Sequence, residues 1–314
     1  MSADIEQPLL ETVIPGLDLY DRGKVRDVYS AGEDILVVTT DRVFLFERVW
    51  PQGLAGKGEV LTALTLLTFE EVSDLVPNYV VTARVEEYPP PFNRFPELLA
   101  GRSYLTEKVE PIRVECVVRG YLYGQSWQAY RAGDHSWLPP LRAGMELAAE
   151  LPEPVFTPAR KNREGDDENL NPAGLVELAG EGRADELRRL SLAIYSRMRE
   201  VFARAGFILA DTKFEFGEKD GRLLLINEAC TPDSSRIWKA DRYRPGRTQD
   251  PWDKEILQDY LASRGWSPGD PFVPLPPGLL AEAGRRFREL PAAAGSAIPV
   301  SGSRCGNHTS RRTD

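Results

Sequence analysis

Cysteine and histidine are scarce in this chain. Only three cysteines and two histidines occur among its 314 residues. Cys116, Cys230 and Cys305 are far apart and odd in number, so neither a disulfide framework nor a zinc cluster is indicated. We therefore expect a protein of the reducing cytoplasm.

Long apolar runs and a surplus of positive charge are also missing. No stretch approaches the twenty or so apolar residues that a membrane-spanning helix needs, and the acidic N-terminus does not resemble an export signal. Lys and Arg number 39 against 48 Asp and Glu, a net charge of -9, which disfavours sequence-independent nucleic-acid binding. We expect small-molecule partners, no nucleic acid and no membrane. Hydrophobic residues make up 42% of the chain, enough for two lobes with their own cores.

Charged residues alternate along one predicted strand. Asp211, Lys213 and Glu215 share a strand face, and a hairpin return places Asn227 and Glu228 beside them. Carboxylates near a lysine suit a magnesium-bound nucleotide. The alternation alone fits a solvated sheet face equally well. The apolar runs at 206–210 and 223–226 favour the nucleotide site, because charges between two buried strands need compensation.

Three glycine-containing segments also carry basic residues. Gly23 precedes Lys24 and Arg26 on one strand face, which suits phosphates, although basic residues also protect an edge strand from pairing and that alternative is favoured on pattern alone. The segment 53–58, with Lys57, opens a helix and either presents backbone N–H groups to an anion or forms a simple turn. Arg119 lies at a strand-to-helix junction able to hold a phosphate.

The pattern of elements predicts a β-rich beginning and a more helical remainder. We expect strands over 19–50, 79–85 and 112–118 and helices over 58–75, 126–132, 184–205, 253–264 and 279–290. A loop is expected over 138–158. These patterns predict a β-rich N-terminal lobe over 1–117, an α+β C-terminal lobe over 118–290 and a disordered tail over 291–314.

Several segments together resemble the SAICAR synthetase family of purine biosynthesis, over about residues 15–290. The resemblance rests on GKVRDVY at 23–29, GKGEVLT at 56–62, VECVVRGYLYG at 114–124, LPEPVFTP at 151–158, DEN at 167–169, ADTKFEFG at 210–217 and TPDSSR at 231–236. It implies an α+β fold of two lobes, with ATP in the cleft between them. It also implies that ATP activates a ribonucleotide carboxylate (CAIR) as an acyl phosphate, which the amine of L-aspartate then attacks.

The resemblance also implies roles for particular residues, with ATP and Mg²⁺ as cofactors and a homo-oligomer as a possible assembly. Catalytic roles fall on Lys24, Lys161, Lys213 and Asp211. ATP binding falls on Gly23, Lys24, Arg26, Lys161 and Glu215, and the metal on Glu215, Asn227 and Glu228. Binding of the other substrates falls on Glu47, Lys57, Arg119, Gln125, Ser126, Asp233, Ser235 and Arg236.

Some motif positions depart from the family pattern. Phe44 replaces a small hydroxyl residue, Glu47 an aspartate, Gln125 a serine and Asn227 a metal-binding aspartate; Ser126 is a candidate substitute for the lost serine. Arg160, Arg163 and Asp166 are further departures. They suggest two alternatives: a paralogue recruited to join a different carboxylate and amine, for example in a nucleoside-like natural product, or a catalytically weak nucleotide-binding protein.

Overall fold

The first lobe is built on a five-stranded antiparallel sheet. The computed structural model describes residues 7–162 and 167–297. The sheet has the order β1-β2-β3-β7-β6. Its strands are β1 (Leu19–Arg22), β2 (Arg26–Ala31), β3 (Asp34–Thr39), β6 (Val80–Thr82) and β7 (Ser103–Glu107). The predicted strands over 19–50 are confirmed, and the strand expected over 79–85 is shorter.

A separate hairpin and a helix complete this lobe. Strands β4 (Arg42–Leu45) and β5 (Arg48–Gly53) pair with each other and are followed by α1 (Lys57–Glu71). The two residues between the strands, Phe46 and Glu47, have positive φ angles of 49° and 58°. Two left-handed residues in succession are the signature of a tight hairpin turn.

The second lobe contains an eight-stranded sheet organised around one long strand. β13 (Phe207–Lys219) pairs with four others. Its partners are β8 (Glu110–Pro111), β9 (Val114–Tyr121), β14 (Arg222–Ile226) and β15 (Ser235–Lys239). The remaining strands are β10 (Glu150–Phe156), β11 (Ala159–Arg160) and β12 (Glu168–Asn169). The predicted hairpin is confirmed, with Glu215 opposite Ile226.

One face of this sheet is covered by the longest helix. The helices of this lobe are α3 (Gly124–Ala132), α4 (Pro172–Ala179), α5 (Glu181–Arg204), α6 (Glu255–Ser263) and α7 (Pro277–Ala297). The short helix α2 (Pro96–Leu99) belongs to the first lobe, where Leu99 shares a core with Leu36 and Val38 of β3. Phe214 and Phe216 of β13 share the core with α5 residues such as Ile194 and Met198. Because side chains alternate along a strand, Lys213 and Glu215 point to the opposite face. Across the described ranges, no helix has the length and apolar character that a membrane crossing requires.

The structure corrects two expectations. The segment expected to be a loop over 138–158 contains β10, because Val155 and Phe156 pair with Arg119 and Val118 of β9. Helix α7 continues through Pro291 to Ala297, which corrects the disordered tail for 291–297; residues 298–314 lie outside the described residues. The division at 117/118 stays a prediction, and β9 runs across it.

Candidate functional site

A cavity of about 580 Å³ opens over the exposed face of β13. Strands β9 and β13, the segment 233–236 and the start of α6 form its walls. The charged side chains on which the argument depends are Glu115, Arg119, Asp211, Lys213, Asp233 and Arg236. Apart from Glu115, all of them were singled out in the sequence. Asp211 and Lys213 alternate with core residues along β13, and the pairing of β13 with β9 and β15 brings Arg119 and Arg236 beside them.

Asp211 holds two arginines at one end of the cavity. Its Oδ2 lies 2.5 Å from Nη1 of Arg236 and 3.3 Å from Nη1 of Arg119. Nε of Arg119 donates to Thr157 at 2.9 Å. Burial lowers the pKa of Arg236, but Asp211 and Glu255 outweigh burial and raise it. Both guanidinium groups share Asp211, with Glu255 3.7 Å from Nε of Arg236, and guanidinium groups are the usual partners of phosphate in proteins.

Gly124 is needed for this arrangement. A Cβ at this position would collide with the guanidinium of Arg236, and φ is 56°. Its neighbour Gln125 lines the cavity, but Ser126 does not: the Ser126 hydroxyl is buried and donates to the Tyr123 carbonyl at 2.8 Å. Ser126 therefore caps helix α3, and its expected role in substrate binding finds no support in the geometry.

Lys213 and Glu115 form an ion pair on the cavity wall. Their charged atoms are 2.7 Å apart. Burial opposes both charges, but the pairing outweighs it, raising the pKa of Lys213 and lowering the pKa of Glu115. Burial and the nearby Glu115 raise the pKa of Asp167. Lys213 therefore remains charged at neutral pH.

Farther along β13, four side chains form a continuous chain of polar contacts. Lys161 Nζ and Asn227 Nδ2 both lie 2.6 Å from Glu215 Oε2. Arg26 Nη1 donates to Asn227 Oδ1 at 2.9 Å. Donation from one side and acceptance on the other fix which way the amide of Asn227 points.

Glu228, next to Asn227, faces inward toward Arg26. Its Oε2 lies 3.6 Å from Arg26 Nη2 and accepts from Thr231 Oγ1 at 2.9 Å. Burial would raise the pKa of Glu228, but Arg26, followed by Lys57, lowers it. The hairpin thus places Glu215, Asn227 and Glu228 together, as the sequence predicted.

Lys24 belongs to the hairpin side of the cleft. Its Nζ lies 2.8 Å from Glu47 Oε2 and 4.2 Å from the centre of the Phe44 ring. Two departures from the family pattern, Phe44 and Glu47, therefore contact the same lysine. Gly23 does not offer a free N–H group, because it donates to the Arg26 carbonyl at 2.8 Å.

The segment 53–58 does not form the anion site considered above. The Gly58 N–H donates to Asp41 Oδ1 at 2.8 Å. Lys57 is buried, 2.6 Å from Asp233 Oδ2, and also donates to the Arg42 carbonyl at 2.9 Å. Lys57 therefore holds Asp233 in place, and Asp233 lines the cavity. Ser235, also in the lining, exchanges a hydrogen bond of 2.8 Å with Thr212.

The sequence reasoning missed the start of α6. Asp253, Lys254, Glu255 and Gln258 all line the cavity. Asp253 accepts from the backbone N–H groups of Ile237 and Glu255, each at 2.8 Å, and so joins α6 to β15. The available signal was an aspartate at a predicted helix start, followed at once by two further charges.

Two departures lie outside the described residues: Arg163 and Asp166. Arg160 is described, and its Nε is 3.9 Å from Glu168 Oε2. Both side chains are more exposed than those of the ion pairs in the cavity.

A β-rich lobe set on a larger mixed lobe, with cationic side chains paired to carboxylates along the cleft, is the arrangement of a ligase that acts on small molecules. The chain belongs to the SAICAR synthetase family, whose model matches residues 19–269. It is 42% identical over 282 residues to the phosphoribosylaminoimidazole-succinocarboxamide synthase of Thermodesulfovibrio yellowstonii, covering 90% of this chain and 97% of that one. It is 44% identical over 286 residues to that of Desulfosudis oleivorans, covering 91% and 98%.

Solved structures support the same family assignment. The SAICAR synthase from Saccharomyces cerevisiae, solved with SAICAR, superposes with a TM-score of 0.83 at 32% identity, covering 92% of this chain and 98% of that chain. A SAICAR synthetase in complex with ADP shares the fold at 21% identity, with a TM-score of 0.63 and coverage of 90% and 99%. The predicted fold class is confirmed.

Proposed function

We propose that this protein is an ATP-dependent carbon–nitrogen ligase that joins the carboxylate of CAIR to the amine of L-aspartate. The observation that carries the proposal is that β13 bears two charged groups in series: Asp211 with its arginines, then Glu215 with Lys161 and Arg26. Two anionic substrates can therefore lie end to end along one strand. The curated relatives of T. yellowstonii and D. oleivorans support the same activity.

In the first step, a carboxylate oxygen of the acid attacks the γ-phosphorus of ATP. The new O–P bond forms as the bond to the β-phosphate oxygen breaks, and ADP leaves. Lys24, Arg26 and Lys161 are the cations that would hold the phosphates against their mutual repulsion. In the second step, the amine attacks the acyl carbon, the bond to the phosphate oxygen breaks, and phosphate leaves.

At the other end, Arg119 and Arg236 would hold the phosphate of the ribonucleotide. Arginine suits this task because its planar group donates two parallel hydrogen bonds. Asp211 keeps both side chains in place, and Lys213, which stays charged, lies between the two ends of the cleft. Gln125, Asp233 and Ser235 line the cavity where the acid would lie. Their individual roles stay proposals.

Magnesium fits this site with one protein carboxylate rather than three ligands. The described residues contain no cluster of three or more acidic, cysteine or histidine side chains suited to a metal. Asn227 presents its oxygen to Arg26, and Glu228 faces Arg26 and Thr231. Mg²⁺ is commonly held by one or two carboxylates together with substrate phosphates, so Glu215 would be its ligand. A bound Mg²⁺ would neutralise charge on the phosphates.

The two alternatives gain no support from the relatives. Phe44 and Glu47 contact Lys24 on the proposed ATP side, and Glu47 also lines the cavity, as Gln125 does. The homo-oligomer, the two-lobe boundary and the cytoplasmic location stay predictions.

The decisive experiment is to incubate the protein with Mg-ATP, CAIR and L-aspartate and to follow ADP release and products by mass spectrometry. We expect the succinocarboxamide in equal amount to ADP. ADP without coupled product would point to a different amine, and no ADP with intact nucleotide binding would overturn the proposal.

A further inference from the structure

A second cavity lies outside the site described above. Its volume is about 650 Å³, which is within the range of small-molecule sites in proteins. Its walls are mostly apolar and include Trp137, Phe156, Leu170, Leu175 and Val176, together with five prolines. Because proline fixes the backbone φ angle, these walls are rigid. The two cavities share no lining residue, and the proposed ligase chemistry does not use the second one.

A single wall separates the second cavity from the cavity over β13. Pro158 and Leu170 line the second cavity, whereas their chain neighbours Ala159 and Asn169 line the first. Backbone hydrogen bonds hold this wall together, since the Leu170 N–H donates to the Pro158 carbonyl at 2.8 Å and Ala159 pairs with Asn169. A ligand in either cavity therefore lies against the same short strands.

Trp137 connects the second cavity to Arg119. It lines the cavity, and the centre of its ring lies 5.5 Å from the guanidinium carbon of Arg119. Phe156, also in the lining, precedes Thr157, whose hydroxyl accepts from Arg119 Nε at 2.9 Å. Trp137 is half-buried in a segment with neither helix nor strand, and the open cavity on one side deprives its ring of packing contacts. The position of the ring therefore depends on what fills the cavity.

The charges at the rim indicate the kind of ligand. Glu153, Asp185 and Arg188 belong to the lining and are exposed, and none of them forms an ion pair within the described parts of the chain. Two carboxylates against one guanidinium give the rim a net negative charge, which attracts a cation and repels phosphates. The rings of Trp137 and Phe156 favour a flat aromatic group. A small aromatic amine combines both properties.

We propose that the second cavity is an effector site for a small aromatic amine, whose binding strengthens ribonucleotide binding by holding Trp137 against Arg119. A ring bound beside Trp137 supplies the packing that the indole lacks and orders it. Trp137, Thr157 and Asp211 then fix Arg119 together, so the ribonucleotide phosphate meets a guanidinium that is already oriented. The coupling rests on the proposed function, whereas binding in the second cavity does not.

Binding is tested by calorimetry with tryptamine, indole and indoleacetate, which share one ring system and differ in charge. We expect a Kd of roughly 1 mM or tighter for tryptamine, a ligand of about twelve non-hydrogen atoms. Indoleacetate should bind roughly fivefold more weakly, as exposed charges allow, with indole between them. E153Q/D185N should remove this difference. E177Q/E181Q, which makes the same charge change on exposed side chains outside the lining, should retain it.

Two variants of α4 locate the bound ring. Val176 and Leu178 are both exposed apolar residues, but of the two only Val176 lines the cavity. V176W fills the space with a ring of its own and should weaken tryptamine binding by roughly tenfold or more, whereas L178W should stay within about twofold of the wild type. Thermal unfolding checks that both variants fold. Equal tryptamine binding by folded V176W and the wild type, or no binding by the wild type, would overturn the proposal.

Coupling is tested by measuring the Kd of CAIR with and without tryptamine. We expect tryptamine to lower it by roughly fivefold, and CAIR to lower the Kd of tryptamine by the same factor, because coupling between two sites is reciprocal. The factor should fall to about one in W137L and be partly retained in W137F, which keeps an aromatic ring beside Arg119. A factor of one in the wild type would also overturn the proposal. A wild type that binds tryptamine but not CAIR would contradict the proposed function and leave the assignment of the second cavity intact.

Discussion

Asn227 Nδ2 lies 2.6 Å from Glu215 Oε2, while its own oxygen accepts from Arg26 at 2.9 Å. The amide thus donates to the one carboxylate proposed for magnesium and accepts from a cation proposed for phosphate. A carboxylate at position 227 could not donate to Glu215. The two groups would repel each other unless a cation lay between them.

N227D should therefore make nucleotide binding more dependent on magnesium. We expect the ratio of ATP affinities with Mg²⁺ and with EDTA to rise by about tenfold, or about 1.4 kcal/mol, measured by calorimetry without the other substrates. N93D, which adds the same charge at an exposed position, is the control. An unchanged ratio in N227D would show that our account of this position is wrong.

Lys57 gives a prediction about stability. It is buried 2.6 Å from Asp233, so K57M leaves an uncompensated buried carboxylate. Breaking a buried pair from one side costs about 3 kcal/mol or more, and we expect this loss in the free energy of unfolding from urea titration. The double variant K57M/D233N should recover part of it, whereas K108M at the surface should change little. A stable K57M that loses only substrate affinity would favour the direct substrate role predicted from the sequence.

The hairpin turn gives a prediction about backbone strain. Glu47 occupies the left-handed region with φ 58°, which costs a side-chain-bearing residue roughly 1 kcal/mol or more. E47G and E47Q both remove the ion pair with Lys24, but only E47G relieves the strain. E47G should therefore be more stable than E47Q by about 1 kcal/mol in thermal unfolding. Equal stabilities would mean that the turn adapts to its side chain.

The chain pattern predicted the hairpin of β13 and β14 because alternation is local: Asp211, Lys213 and Glu215 had to share a face whatever surrounded them. It could not show that Lys57 turns inward to Asp233, since that contact joins residues far apart in the chain. β10 was missed because three prolines at 152, 154 and 158 suggested a loop, whereas the strand pairs with β9 only near its ends. The sequence predicted the start of α6 only as a helix. Its residues line the cavity because they lie against β13 and β9, which are distant in the chain.

Glu255 gives a prediction for the pH dependence of stability. Burial and Asp253 raise its pKa to about 8 in the folded protein, while an unfolded glutamate titrates near pH 4.3. The folded state therefore binds more protons between these values, and the free energy of unfolding should fall as pH rises from about 4.5 to about 8. Asp253, whose pKa burial raises to about 7, contributes in the same direction. Asp211 and Asp259 add negative charge around Glu255, and Arg236 opposes them.

E255Q removes the Glu255 part of this loss. Relative to the wild type, its free energy of unfolding should rise between pH 5 and pH 8.5 by up to about 4 kcal/mol, because each unit of pKa shift is worth about 1.4 kcal/mol, measured by urea titration at several pH values. For E70Q, at an exposed position of α1, the free energy of unfolding should vary with pH as it does in the wild type. If the free energy of unfolding of E255Q also varies with pH as in the wild type, the pKa of Glu255 is not raised in the folded protein.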